Sequence, residues 1–157
     1  MLLTKHHGLG NDFLVLLDMA GDQPIDAPVA RALCDRHRGI GADGIMRVIG
    51  APPEGGADVA MELFNADGSR AEISGNGIRC LGQAVVAAGI VAGPDLRVAT
   101  DAGIRHLVVR TTDDPGVAWV SVAMGQPHLL DGTDGGDGDA CNVDHARRRV
   151  EIGRAHV

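Results

Sequence analysis

The segment from residue 64 to residue 80, FNADGSRAEISGNGIRC, places a polar and glycine-rich stretch directly before an apolar helical pattern. The first N–H groups of a helix lack intrahelical partners, and the helix dipole adds partial positive charge there, so this point suits an anion. Gly75 and Gly77 let a ligand approach the backbone closely. The sequence therefore predicts a site for a small carboxylate-bearing molecule at this helix start, beside the hydroxyl of Ser74.

The residues after Ser74 also constrain the fold. Aliphatic residues and alanine recur from Ile78 to Val91, and we predict a largely buried helix over residues 75–88 whose N-terminus faces a concave surface. A shorter helix is predicted over residues 29–36. Apolar runs and alternating patterns predict strands over residues 13–18, 44–49, 59–64, 96–100, 105–111 and 117–124. Many strands around one apolar helix indicate an α+β fold.

Composition bounds the classes of function. With 157 residues and 45% hydrophobic residues, the chain can bury a core. The net charge of −7 argues against binding to nucleic acid or to an anionic membrane surface. No apolar run approaches the roughly 20 residues of a membrane span, and the first residues lack the order of a signal peptide. Three widely spaced cysteines are typical of reduced thiols, so we expect a cytoplasmic protein.

Three ordered blocks carry a family resemblance. They are Lys5–Phe13 (KHHGLGNDF), Asp35–Gly44 (DRHRGIGADG) and the segment from residue 64 to residue 80. Together they resemble the amino-terminal half of the diaminopimelate epimerase family, over roughly residues 1–130, with serine at position 74 where the family usually has a catalytic cysteine. Three such blocks in the same order identify a family far more specifically than any single glycine motif does.

The resemblance implies a fold and a domain division. It implies mostly antiparallel strands wrapped around a central apolar helix, as one half of a pseudo-symmetric two-domain protein. Residues 1–115 would form the amino-terminal domain, and residues 116–157 the truncated start of the second. The last residues, 151–157 (EIGRAHV), match a sequencing-library adapter translated in frame, and we expect them to be an artefact.

The resemblance also implies an activity. The family interconverts LL- and meso-diaminopimelate for lysine and peptidoglycan synthesis, without a metal or organic cofactor. One cysteine from each half acts on a small amino-acid substrate in the cleft between them, and a full-length protein could form a homodimer. Carried over to this chain, the catalytic position is Ser74. The substrate-binding positions are Asn11, Asn65, Gly75, Asn76 and Gly44, of which Gly44 offers only its backbone.

Two departures from the family keep other functions open. A serine hydroxyl has a much higher pKa than a thiol and is a poor base without activation, and the second half lies beyond residue 157. We therefore expect an inactive fragment. The alternatives are a related two-half isomerase or dehydratase acting on another amino or hydroxy acid, and a non-catalytic binding half.

Other polar residues have simpler interpretations. Asn11 and Asn65, taken alone, also suit turns. Cys80 reads as a small core residue, and the adjacent His6 and His7 would face opposite sides of a strand, which disfavours a metal site. Residues 131–139 alternate Asp with Gly but lack the closing Glu of a calcium loop, so we expect an acidic loop.

Overall fold

A computed structural model describes residues 2–124 and 154–156 of the chain. The two helices are α1 (Ala27–Cys34) and α2 (Gly75–Ala87), and a short 3₁₀ helix covers Pro53–Gly55. The strands are β1 (Leu3–Gly8), β2 (Asn11–Leu17), β3 (Gly44–Gly50), β4 (Val59–Asn65), β5 (Arg70–Ala71), β6 (Asp95–Thr100), β7 (Gly103–Thr111), β8 (Val117–Val122) and β9 (Arg154–His156). The acidic segment 131–139 and Cys141 lie outside the described residues.

The strands form one mixed, curled sheet in the order β3-β2-β1-β9-β8-β7-β6-β4-β5. Strand β4 also pairs with β3, so the hydrogen-bonded pairs return to the first strand and complete a circuit. Only β2–β3 and β4–β6 are parallel pairs within this sheet, and its other pairs are antiparallel. This agrees with the expected α+β class and the mostly antiparallel pairing.

One hydrophobic cluster joins α2 to the sheet. Apolar side chains of α2, among them Ile78, Leu81 and Val85, pack with alternate residues of β2, β3, β4, β6, β7 and β8. Gly82 brings the helix close to the sheet, because a Cβ atom there would lie 3.0 Å from Leu107 Cδ2. The helix predicted over residues 75–88 is thus present and largely buried, ending one residue earlier.

A second cluster covers the other face of β2 and β3. Leu14 and Leu16 of β2 and Ile45 of β3 pack there against Ala30 and Cys34 of α1. Because both faces of β2 are covered, its sequence is continuously apolar rather than alternating. Helix α1 occupies residues 27–34 instead of the predicted 29–36, since the Asp26 side chain accepts the Val29 N–H and caps the helix earlier. Strands β1, β5 and β9 were not predicted.

His6 connects β1 to α2 through a buried polar network. Its Nδ1 lies 3.2 Å from Gln83 Oε1, and its Nε2 lies 2.8 Å from Thr4 Oγ1. The Gln83 amide is oriented by its bond from Nε2 to the Gly116 carbonyl (3.0 Å), so His6 Nδ1 carries the proton and donates to Gln83. Burial lowers the pKa of His6, and the bond with Gln83 offsets part of that effect.

We expect this burial to make stability depend on pH below about 7. A histidine whose pKa is lowered by folding binds its proton more readily in the unfolded chain, so the free energy of unfolding falls as pH falls through the unfolded pKa of about 6.5. Urea unfolding at several pH values should show that loss, and His6→Asn should flatten it. Equal losses in both proteins would show that another group titrates.

Among the described helices, none is long and apolar enough to cross a membrane.

Candidate active site

Ser74 is the N-cap of α2. Its backbone is extended (φ −129°, ψ 124°), and its Oγ accepts a hydrogen bond from the Gly77 N–H at 3.1 Å. This cap leaves the N–H groups of Gly75 and Asn76, in the first turn, without intrahelical acceptors. In the described part of the chain, no imidazole or carboxylate is hydrogen-bonded to Ser74 Oγ. The hydroxyl is therefore positioned at the helix start but not activated by a base.

Asn11, Gly44 and Asn65 lie at one end of the sheet. Asn11 begins β2, Gly44 begins the parallel strand β3, and Asn65 ends the antiparallel strand β4 directly opposite Gly44. These residues are far apart in sequence, and the pairing of their strands brings them together.

The first turn of α2 packs over the same end. A Cβ atom added to Gly77 would lie 3.4 Å from Phe13 Cζ and 3.2 Å from Met46 Sδ, and these side chains are two residues into β2 and β3. Gly8, which pairs with Asn11, would place a Cβ atom 3.4 Å from the Asn76 carbonyl oxygen. The structure thus brings Ser74, Gly75 and Asn76 to the end of the sheet that carries Asn11, Gly44 and Asn65.

The two asparagines present amide groups differently. Asn11 Oδ1 is buried and accepts no hydrogen bond from the described residues, so it retains its full capacity as an acceptor. Asn65 Nδ2 donates to Ser69 Oγ at 3.0 Å, and that hydroxyl donates to Asp67 Oδ1 at 2.6 Å. This chain of bonds fixes the orientation of the Asn65 amide, whose Oδ1 is left as the acceptor.

Gly44 has no room for a side chain. A Cβ atom there would lie 2.7 Å from the Phe64 carbonyl oxygen and 3.0 Å from Phe13 Cε1. A longer residue at this position would require the β3–β4 backbone to shift, so Gly44 contributes only backbone groups to this end of the sheet.

Arg79 is a buried cation that the sequence analysis did not assign to the site. Only 1% of its surface is exposed, and burial lowers the pKa of its guanidinium. Its Nη2 donates to Asn76 Oδ1, one turn earlier in α2. The guanidinium therefore adds positive charge behind the first turn of α2 and holds the Asn76 side chain. An arginine three residues after Asn76, inside an otherwise apolar helix, was the available signal.

The Cys80 thiol is not part of this end of the sheet. Cys80 is buried in the core, where burial raises the pKa of its thiol to about 12, and its interpretation as a core residue is confirmed. Within residues 2–124 and 154–156, no group of three His, Cys, Asp or Glu side chains is placed to hold a metal ion.

Comparison with known families supports the sequence resemblance. Residues 3–130 match the model of the diaminopimelate epimerase family. The chain is 45% identical to the diaminopimelate epimerase of Moorella thermoacetica, in a match covering 82% of this chain and 45% of that protein. It is 36% identical to that of Thermobifida fusca, in a match covering 100% of this chain and 58% of that protein. The chain thus spans about half the length of the curated relatives it matches.

Solved structures share the fold at low sequence identity. A phenazine biosynthesis protein of the PhzF family from Bacillus anthracis is 17% identical, with a TM-score of 0.56 over 78% of this chain and 40% of that one. A hydroxyproline epimerase from Agrobacterium vitis is 19% identical, with a TM-score of 0.52 over 76% of this chain and 40% of that one. The matched family model covers most of this sequence, and the chain belongs to the diaminopimelate epimerase family.

Proposed function

We propose that this chain supplies the amino-terminal half of the site of a cofactor-independent amino-acid epimerase, which interconverts LL- and meso-diaminopimelate. In this proposal α2 is the central helix of one of two similar halves, residues 1–115 form the first domain, and residues 116–157 begin the second. The whole protein acts on a small amino acid in the cytoplasm, without a metal or organic cofactor, and a homodimer of the full-length form is compatible with this arrangement.

The observation that carries the proposal is the position of the α2 N-terminus. Its first-turn N–H groups, at Gly75 and Asn76, have no intrahelical acceptor and lie at the same end of the fold as Asn11 and Asn65. A substrate carboxylate accepts hydrogen bonds from these N–H groups, and the nearby charge of Arg79 adds to the attraction. Asn11 Oδ1, which has no donor among the described residues, accepts from the substrate ammonium group.

Charge also develops on the substrate during epimerisation. Removing the α-proton moves negative charge onto the carboxylate, which then holds more charge than in the ground state. Fixed donors at the α2 N-terminus stabilise the deprotonated substrate more than the substrate that still carries its α-proton. They therefore lower the barrier to proton removal. A second acid or base must return the proton on the opposite face, and that group has to come from the other half.

The capping role of Ser74 favours a second candidate for the chain alone, a non-catalytic binding half. Its Oγ is bonded to the Gly77 N–H and to no base within the described residues. A hydroxyl in that state holds its proton far above neutral pH, so this half binds a carboxylate without removing the α-proton.

We expect the chain alone to bind diaminopimelate but not to epimerise it. A single half lacks the opposing acid, and its open site leaves the reacting centre in water, which weakens the electrostatic stabilisation. NMR titration with LL-diaminopimelate should shift the backbone amides of Gly75 and Asn76, while incubation in deuterated water should give no deuterium at the α-carbon.

The same two measurements on a full-length form distinguish the candidate functions. Deuterium uptake there, together with formation of the meso isomer, supports the epimerase. Binding without exchange supports the binding half. Loss of water or turnover of another amino or hydroxy acid points to the related isomerase or dehydratase. Enzymatic deuterium uptake by the chain alone would contradict the requirement for two halves.

A further inference from the structure

Two carboxylates lock the first residues of β2 and β3 to each other. The Asp12 N–H donates to Asp43 Oδ2 at 3.0 Å, and the Asp43 N–H donates to the Asp12 carbonyl at 2.9 Å. The same Asp43 N–H also lies 3.2 Å from Asp12 Oδ1. Asp12 directly follows Asn11, and Asp43 directly precedes Gly44. The hydrogen bonds between Asp12 and Asp43 therefore lie next to two residues of the candidate site.

Arg36 holds the two carboxylates together. Its Nη1 and Nη2 donate to the two oxygens of Asp12, at 3.0 and 2.5 Å, and its Nη2 also donates to Asp43 Oδ1 at 2.8 Å. Without a cation, two negative groups this close would repel each other. The bonds from Arg36, more than the nearby ammonium of Lys5, hold the pKa of Asp12 well below its usual range. We call Arg36, Asp12 and Asp43 the arginine clamp.

The segment that carries Arg36 is itself fixed to α1. The Asp35 side chain accepts the N–H groups of His37 and Arg38, and the Ala42 N–H donates to the Cys34 carbonyl. A Cβ atom on Gly41 would lie 2.9 Å from Arg36 Cα, so the loop folds tightly against the arginine. Arg36 therefore connects the end of α1 to the starts of β2 and β3.

We infer that Arg36 is a positioning residue, which sets Asn11 and Gly44 in the geometry that receives the ligand. Its side-chain hydrogen bonds within the described residues go to Asp12 and Asp43, through which it acts. The inference rests on the proposed function only for the identity of the ligand. Its structural consequence, an ordered start of β2 and β3, is measurable without any ligand.

The competing explanation is an ordinary surface ion pair that stabilises the fold and nothing more. The chain offers a matched control. Arg97 binds Asp58 through its Nη2 at 2.9 Å and its own backbone N–H at 2.8 Å, and its side chain is 52% exposed, against 51% for Arg36. Asp58 precedes β4, whose opposite end is Asn65, so this pair lies at the far end of the sheet.

The experiment compares Arg36→Gln, Arg36→Lys and Arg97→Gln in the 157-residue chain. Backbone ¹⁵N relaxation should give order parameters near ~0.85 for Asn11 and Gly44 in the unaltered chain and below ~0.6 in Arg36→Gln. In Arg36→Lys the order parameters of these two residues should lie between those values, because lysine keeps the charge but not the forked geometry. Arg97→Gln should leave both residues ordered, with a comparable loss of thermal stability.

The outcomes separate this inference from the proposed function. The inference would be overturned if Asn11 and Gly44 were as ordered in Arg36→Gln as in the unaltered chain. It would also be overturned if they became as mobile in Arg97→Gln as in Arg36→Gln. If Arg36→Gln does not fold, Arg36→Lys decides. Increased mobility confined to the starts of β2 and β3 supports a positioning role, and unchanged mobility there rejects it. Titration with LL-diaminopimelate should then show about tenfold weaker binding in Arg36→Gln. No binding by the unaltered chain would count against the proposed ligand, while the ordering result would still stand.

Discussion

Replacing Ser74 by cysteine in a full-length protein with an intact second half should raise epimerase turnover by about 100-fold or more, the range of a positioned general base. A thiol at a helix N-terminus ionises partly at neutral pH, whereas the serine hydroxyl does not. The Gly77 N–H that now donates to Ser74 Oγ would donate to the thiolate, and the buried Arg79 adds positive charge nearby. Turnover is measured by deuterium uptake at the α-carbon.

Two controls accompany this substitution. Cys80→Ser should leave turnover unchanged apart from stability, because the buried Cys80 thiol, with a pKa of about 12, remains protonated. Ser74→Cys in the 157-residue chain should give no exchange, since in the proposed arrangement the opposing acid belongs to the other half. If the serine protein already turns over diaminopimelate well, and Ser74→Cys leaves it unchanged or slower, the serine is activated by another group and its assignment as a weak substitute is wrong.

Gly39→Ala should destabilise the chain by more than about 4 kcal/mol, a loss that single substitutions reach only through a severe clash. A Cβ atom at Gly39 would lie 2.2 Å from the Ala32 carbonyl oxygen and 2.7 Å from that of Leu33. Both are backbone atoms at the end of α1, so neither can rotate away as a side chain would. The loop carrying Arg36 would have to detach from α1. Urea unfolding followed by circular dichroism measures the loss.

Gly55→Ala is the matched control for this substitution. Gly55 is the last residue of the exposed 3₁₀ helix, where a Cβ atom would meet nothing within 4 Å, and its backbone is not left-handed. We expect a change within about 0.5 kcal/mol. A Gly39→Ala protein that unfolds at the same urea concentration as Gly55→Ala would show that the loop relaxes easily and that its attachment to α1 is weak.

The sequence predicted the elements whose signals are local. Ser74 with the glycines after it marked the start of α2, and apolar runs marked β2, β3 and β4. Strand β1 was missed because, among its residues, only His6 and Gly8 are buried, so LTKHHG carries no apolar alternation. Its conformation is set by pairing with β2. The start of α1 was predicted two residues too late, because Asp26 caps the helix and Pro28 belongs to its first turn.

The site was predictable only in part, for a related reason. Ser74, Gly75 and Asn76 are contiguous and their role follows from the helix start, while Asn11, Gly44 and Asn65 were named from family resemblance rather than from spacing. The arginine clamp was missed, because Arg36 meets Asp12 across 24 positions of sequence and no local pattern links them. Arg79 was overlooked although its spacing from Asn76 was available in the sequence, because its burial depends on strands that are distant in sequence.

The circuit of strands has a consequence for the order of folding. The β1–β2, β3–β4 and β6–β7–β8 pairings join segments close in sequence, so they can form early. Strand β9 joins β1 to β8 and pairs residue 7 with residue 156, the longest loop closure in the sheet. Apolar side chains of α2 pack with those of β2 and β8, the strands next to β1 and β9 in the sheet. We therefore expect β9 to pair last. Because residues 154–156 belong to the tail that the sequence analysis expects to be an artefact, a chain without that tail would leave the edges of β1 and β8 open to intermolecular pairing.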